Sequence, residues 1–306
     1  FASTFLLTLV YSHSFAQATE KDTTASCIAN WKQGEEKVLV ISRHKESYES
    51  GKRTSNFNFS YEAIVSVLDS SKEGYTIKWV FRLPEEVRLA NPGLAELMPV
   101  YDGMKMIFTC TPLGTFKELI NWEEVRDAYV AMMEVSIPKD LDDTVKASLD
   151  QAKTLFNSKE MVESALIKEI QIYHAPYGGE FSTKGITGKT SLPNPLGPEP
   201  MPATVMQKII EINPDSGYFK ATINQEIDKQ GAITMMENLF KKMNISNDTT
   251  VIKANEMLAT LETFEIKDYC EYVIIQSTGW IVRMSHERTA VMSEMKQIDK
   301  MTIEIK

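Results

Sequence analysis

Asn56-Phe57-Asn58-Phe59-Ser60-Tyr61-Glu62-Ala63-Ile64-Val65-Ser66-Val67 alternates large apolar side chains with polar ones over most of its length. Successive side chains of an extended chain point to opposite faces, so this spacing predicts a strand with one buried face. Asp69-Ser70-Ser71-Lys72-Glu73-Gly74 supplies a turn, and Tyr75, Ile77, Trp79 and Phe81 then alternate with Thr76, Lys78 and Arg82. The two segments read as an antiparallel hairpin. Its buried face carries Phe57, Phe59, Tyr61, Tyr75, Trp79 and Phe81, and these six aromatics are the candidate residues for holding an apolar ligand.

Outward from the hairpin the pattern changes. Upstream, Val38-Leu39-Val40-Ile41 is a short strand. Downstream, a Pro-containing loop (Leu83 to Pro99) precedes a second hairpin, Met104 to Phe108 and Gly114 to Leu119, turning at Thr111-Pro112-Leu113-Gly114. The middle of the chain has helical spacing. Asn121 with Glu124 forms a reciprocal cap, and Trp122, Val125, Tyr129, Met132 and Met133 share one face. A second helix is expected from about Asp140 to Phe156. A third begins near Ser158, with Val162, Leu166, Ile170 and Tyr173 in phase.

Ser191 to Pro202 holds five prolines, which excludes helix and central strand and predicts a rigid connection. Strands return at Val205 to Ile212, Tyr218 to Ile227, Tyr272 to Gln276, Trp280 to Met284 and Met301 to Ile305. One helix carrying Ile233, Met236, Leu239, Phe240 and Met243 lies between them, and Thr249 to Leu261 fits either helix or loop. Segregated strands and helices predict an α+β fold, a curved antiparallel sheet packed on a central group of helices. A single domain over 19–306 is expected, with two pseudo-related halves (27–190 and 203–306) joined by the segment 191–202.

Phe5 to Tyr11 is a short apolar run followed by Ala16-Gln17-Ala18, the small-x-small pattern that a signal peptidase accepts. Residues 1–18 therefore read as the remainder of a signal peptide cleaved after Ala18, and the expected location is the periplasm or the exterior. The run is too short for a bilayer-spanning helix, which needs about 20 residues. Cys27 follows Thr24-Ala25-Ser26. Thr24 stands where a lipoprotein signal has an aliphatic residue, so Cys27 is a poor lipid anchor. Cys27, Cys110 and Cys270 allow three alternative disulfides or three buried thiols, and spacing does not choose among them.

A net charge of −9 with no Lys/Arg cluster excludes a nucleic-acid partner. No nucleophile elbow or phosphate-binding glycine loop is present. His44, His174 and His286 have no metal-ligand spacing and read as solvated or capping residues, and no cofactor is expected. The carboxylate pairs Glu85-Glu86, Glu123-Glu124 and Asp142-Asp143 are sequence neighbours, which do not converge on one site. Met104-Lys105-Met106 could offer thioethers to Cu(I), but core packing is the simpler reading. Asn58, Asn244 and Asn247 match the glycosylation pattern, with Asn58 placed in a strand.

Tyr75-Thr76-Ile77-Lys78-Trp79, Asn121-Trp122-Glu123-Glu124-Val125 and Thr278-Gly279-Trp280-Ile281 resemble segments of uncharacterised exported proteins of Gram-negative bacteria. The build is similar to that of the lipoprotein-carrier half-barrels. The resemblance implies a sheet wrapped on helices and transfers no site residue. The 16 methionines add side chains that line adaptable apolar pockets. The expected function is therefore non-enzymatic binding of a lipid-like or other apolar ligand. The alternatives are a carboxylate-based exported hydrolase and a cell-surface interaction module.

Overall fold

The computed structural model describes residues 22–90, 102–135, 156–192, 201–231 and 264–306. The leader 1–18, the helix expected from Asp140, the helix around Ile233 to Met243, the segment Thr249 to Leu261 and most of the Pro-rich segment lie outside these residues.

The chain is built on one antiparallel sheet of eleven strands. In spatial order these are β6 (Phe116–Leu119), β5 (Lys105–Cys110), β4 (Gly74–Arg82), β3 (Lys52–Ser71), β2 (Glu36–Glu49), β13 (Met295–Ile305), β12 (Ile281–Met292), β11 (Glu265–Ile275), β10 (Tyr218–Ile227), β9 (Met201–Asn213) and β8 (Ile186–Leu192). Almost every neighbour in the sheet is a neighbour in sequence. The exception is β13 beside β2, which joins the first strands to the last through eleven register pairs from Met295↔Glu49 to Ile305↔Leu39. A two-stranded sheet of β1 (Thr24–Ser26) and β7 (Glu180–Ser182) ties down the early segment. The helices are α1 (Glu85–Ala90), α2 (Trp122–Val135), α3 (Lys159–Leu166) and α4 (Lys168–His174).

The α+β expectation is overturned by this inventory. Among the described residues thirteen strands stand against four short helices, and the core is contributed mainly by strand side chains. The strands are longer than the hydrophobic alternation suggested. β11 was expected over Tyr272 to Gln276 and runs over Glu265–Ile275, because Lys267, Asp268 and Glu271 interrupt the apolar run without ending the ladder. The helix expected from Ser158 is two helices, broken at Ile167 (φ −115°, ψ 29°). Ser158 does cap the first, accepting from the Met161 amide. Asn121 stands at the start of α2 and makes the expected contact with Glu124, its Nδ2 donating to Oε2 at 3.2 Å, and it also fastens α2 to β5: its Oδ1 accepts from Ile107 N and its Nδ2 donates to Lys105 O.

The helix α4 explains the shape of the sheet. Phe108 of β5 lies 5.3 Å from the His174 ring and Trp79 of β4 lies 5.9 Å from Tyr173. On the other side, Tyr173 donates to Ile281 O in β12 and Tyr272 of β11 donates to Ile172 O. A flat sheet from β5 to β11 would span six strand spacings, about 29 Å, whereas a helix with its side chains is about 10–12 Å across. Both ends reach this one helix, so the sheet curves around it. Register shifts at Ser47/Tyr48, Val67/Asp69, Lys220/Ala221 and Val273/Ile274 supply bulges that bend strands.

The early segment closes the top of this core. Trp31 packs against Tyr75, Tyr177 and Trp280, each at 5.0 Å. The backbone of Ile28 and Ala29 runs directly over Gly279 (φ +69°), where an added Cβ would stand 2.0 Å from Ile28 O, so only glycine fits there. Cys27, Cys110 and Cys270 are free thiols, all buried.

Candidate functional site

Register decides which side chains share the inner, core-bearing face. Reading across the sheet, Phe59 on β3, Arg43 on β2, Met301 on β13, His286 on β12, Cys270 on β11 and Ile223 on β10 form one row. Two residues further along each strand comes the row Phe57, Lys45, Asp299, Arg288, Asp268 and Gln225. The next row is Ser55, Ser47, Gln297, Ala290 and Ile266. The inner face is therefore divided: an apolar core around α4, a belt of charge, and a mixed zone toward the hairpin tips where Ala290 and Ile266 stand beside Ser47 and Gln297.

The belt is well connected. Asp268 is 5% exposed and accepts from His286 Nε2 at 2.7 Å, from Arg288 Nε at 2.7 Å and from Arg288 Nη2 at 2.6 Å. Burial alone would raise its pKa, but these donors outweigh it and hold the carboxyl down to about 2. Arg43 bridges Glu169 of α4 at 2.8 Å and Asp299 at 3.0 Å. Lys168, at the start of α4, is pushed below the usual lysine range by burial and by the Arg288 guanidinium. The Lys45 ammonium makes no ion pair or hydrogen bond with any described residue.

Asp268 carries a pH prediction. Its folded pKa is depressed, so its contribution is complete above the unfolded value near 3.8 and is lost as pH falls through about 2. The shift corresponds to about 2 kcal/mol. Urea unfolding of the native protein and of Asp268→Asn should show a stability difference that shrinks between about pH 4 and pH 2. A constant difference over that range would mean that the carboxylate charge contributes nothing.

Beyond the belt, a cavity of about 350 Å³ opens on the inner face. Phe264, Ala290, Met292 and Met295 give most of its apolar surface, and Ser47, Glu49, Lys296 and Gln297 stand beside them. Phe264 is buried, whereas Met295 is 51% exposed. A larger depression of about 660 Å³ lies across β8 to β12 and has a different character. Asn224, Glu226, Lys267, Tyr269 and Glu287 line it, and Lys267 is neutralised there by Glu265 and Glu226.

All six aromatics expected at a ligand site stand on the inner face, but in different surroundings. Tyr61, Trp79 and Phe81 are buried beneath α4 and its neighbours. Tyr75 is half-buried and donates its hydroxyl to Ala29 O at 3.1 Å. Phe59 is half-buried against the core, and Phe57 is 51% exposed. Ring contacts run continuously from Phe57 through Phe59 and Tyr61 to Phe81, at 6.1, 5.6 and 5.4 Å. The cavity residues Phe264, Met292 and Met295 were not singled out from sequence. The available signal was Met292-Ser293-Glu294-Met295, two methionines flanking a tight turn whose Ser293 has φ +54°.

Two of the three histidines differ from expectation. His174 and His286 are buried rather than solvated, the first in the aromatic core and the second on Asp268. His44 is half-buried on the outer face beside Asn58, the strand residue of the first glycosylation pattern. Met106 is buried in the core with Met104 packed against it. Among the described residues no group of three or more His, Cys, Asp or Glu side chains is placed to hold a metal.

No protein-family model matches the chain, and no curated protein sequence is significantly similar to it. Among solved structures it is similar to one described as lipid-protein interactions in lipovitellin, with a TM-score of 0.40 and 7% identity over 90% of this chain. The chain spans a quarter of that protein's length.

Proposed function

We propose that this is an exported, non-enzymatic binding protein for a lipid-like ligand held on the inner face of its sheet. The observation that carries the reading is the 350 Å³ cavity, whose apolar surface comes mostly from Phe264, Ala290, Met292 and Met295. Its size is at the lower end of the range for small-molecule pockets, about 300–1,000 Å³. Met295 of this lining is half exposed, as is Phe57 in the neighbouring row of the inner face. Export is supported by the leader-like residues 1–18. Cys27 is fully buried, with its carbonyl accepting from Gly178 N at 2.8 Å, so a lipid on this residue would have to enter the core. Among the described residues no helix is long and apolar enough to cross a membrane.

The hydrolase alternative requires two converging carboxyls, one with a raised pKa. Every resolved shift of a described Asp or Glu is downward, through hydrogen bonds and paired cations, as at Glu62 with Lys306 and Arg82. That pattern gives the alternative no support.

Calorimetric titration with dodecanol tests the binding reading. The native protein should bind it, and Met292→Lys, which puts a charge into the cavity wall, should weaken binding at least about tenfold. Absence of binding by the native protein, together with no apolar species in native mass spectra of material from its own host, would sink the reading.

A further inference from the structure

We infer that the ligand of this cavity is a single-chain amphiphile with a carboxylate head, and that the head is received by Lys45. The inference rests on the binding reading above and specifies its ligand. Its starting point is the order of rows on the inner face. The cavity occupies the row of Ser47, Gln297 and Ala290 and the residues beyond it. The charged belt containing Lys45, Asp299 and Arg288 is the adjacent row, two residues along each strand or about 7 Å away. An extended chain in the cavity therefore ends against the belt.

The belt's charges decide which head fits. Arg288 is taken up by Asp268, and Arg43 by Glu169 and Asp299. Lys45 is exposed and stands across from Asp299, whose Oδ2 is already held by Arg43. In the cavity lining Glu49 and Lys296 carry opposite charges that cancel. In the belt, counting Lys168, four cations (Arg43, Lys45, Lys168 and Arg288) face three carboxylates (Asp268, Asp299 and Glu169), which leaves one positive charge uncompensated. A single negative charge on the ligand balances the site, and a cationic head would face Arg43, Lys45, Lys168 and Arg288. Lys45 is also the cross-strand partner of Phe57, whose exposed ring offers apolar contact beside the ammonium. The modest volume of the cavity suits one alkyl chain rather than two.

The test uses calorimetric titration of the whole protein with three probes of equal chain length, dodecanoate, dodecanol and dodecyltrimethylammonium, below their micelle concentrations. Dodecanoate should bind about fivefold more tightly than dodecanol at low salt, the size expected of an exposed ion pair, and the ammonium probe should bind most weakly. The advantage should shrink at about 0.5 M salt. It should vanish in Lys45→Gln and persist in Lys45→Arg, with the thermal midpoint unchanged in both. Equal binding of dodecanoate and dodecanol by the native protein would overturn the assignment of Lys45 while leaving the apolar site standing. A carboxylate preference that survives in Lys45→Gln would overturn it too. Failure of all three probes, together with no apolar species in native mass spectra of material from its own host, would overturn the binding reading itself.

Discussion

Replacing Trp79 by alanine is expected to destabilise the protein by about 3–5 kcal/mol, the range for truncating a large buried aromatic. The indole is fully buried on β4 and meets Tyr173 of α4 edge-on at 5.9 Å, with a 74° interplanar angle. It stands between the first-half strands and the helix, and Tyr173 passes the contact on by donating to Ile281 O in β12. Removing the indole would open a cavity at the point where both arms of the sheet reach α4. Equilibrium urea unfolding should show a lowered midpoint, and near-ultraviolet circular dichroism should lose intensity.

Trp79→Phe separates packing from polarity. The indole Nε1–H has no acceptor in its buried site, and an unsatisfied buried donor costs about 1–3 kcal/mol. Phenylalanine keeps much of the ring area and removes that donor, so the loss should fall below about 2 kcal/mol. Equal losses for the alanine and phenylalanine variants would show that the shape of the whole indole is required. Because Trp79 lies under α4 and away from the cavity, both folded variants should still bind dodecanol.

The hairpin from Phe57 to Phe81 was legible because its alternation is uninterrupted and its inner face is aromatic. The sheet pairing β2 with β13 was not. Those strands lie at opposite ends of the described chain, and nothing local in Val38 to Ile41 names its partner. The dominance of strand over helix was hidden for a related reason. The inner faces of β11, β12 and β13 carry Asp268, His286, Arg288 and Asp299 among apolar residues, and a charged residue on the buried side breaks the period that sequence reading relies on. Those charges are tolerated because they satisfy one another across strands, which is information about pairing rather than about any one strand. The same logic hid the cavity. Met292 and Met295 flank a turn, where sequence alone suggests solvent, and only the neighbouring strands show that both border an apolar hollow.

The second large effect concerns acid. His174 is 2% exposed, and its Nδ1–H donates to Gly114 O at 2.9 Å while Nε2 has no partner. Trp31, Phe108, Tyr173 and Tyr177 surround the ring, and no carboxylate is among these neighbours to stabilise a second proton. Burial therefore lowers its pKa from 6.5 to about 4, against the opposing effect of the Gly114 hydrogen bond. The sign follows from linkage. The unfolded chain takes up the proton near pH 6.5 and the folded one only near pH 4, so the histidine's contribution is complete above about 6.5 and declines below it. By pH 4 the loss should approach about 3 kcal/mol, with a slope of up to about 1.4 kcal/mol per pH unit. Urea unfolding at intervals from pH 7 to pH 4 should show this slope, and His174→Gln should remove it. Glutamine can keep the donor to Gly114 O but binds no proton in this range. The Asp268 contribution falls below about pH 4, so the two effects occupy separate pH windows. A native protein whose stability is flat from pH 7 to pH 4 would contradict the burial of His174 and, with it, the closed aromatic core around α4.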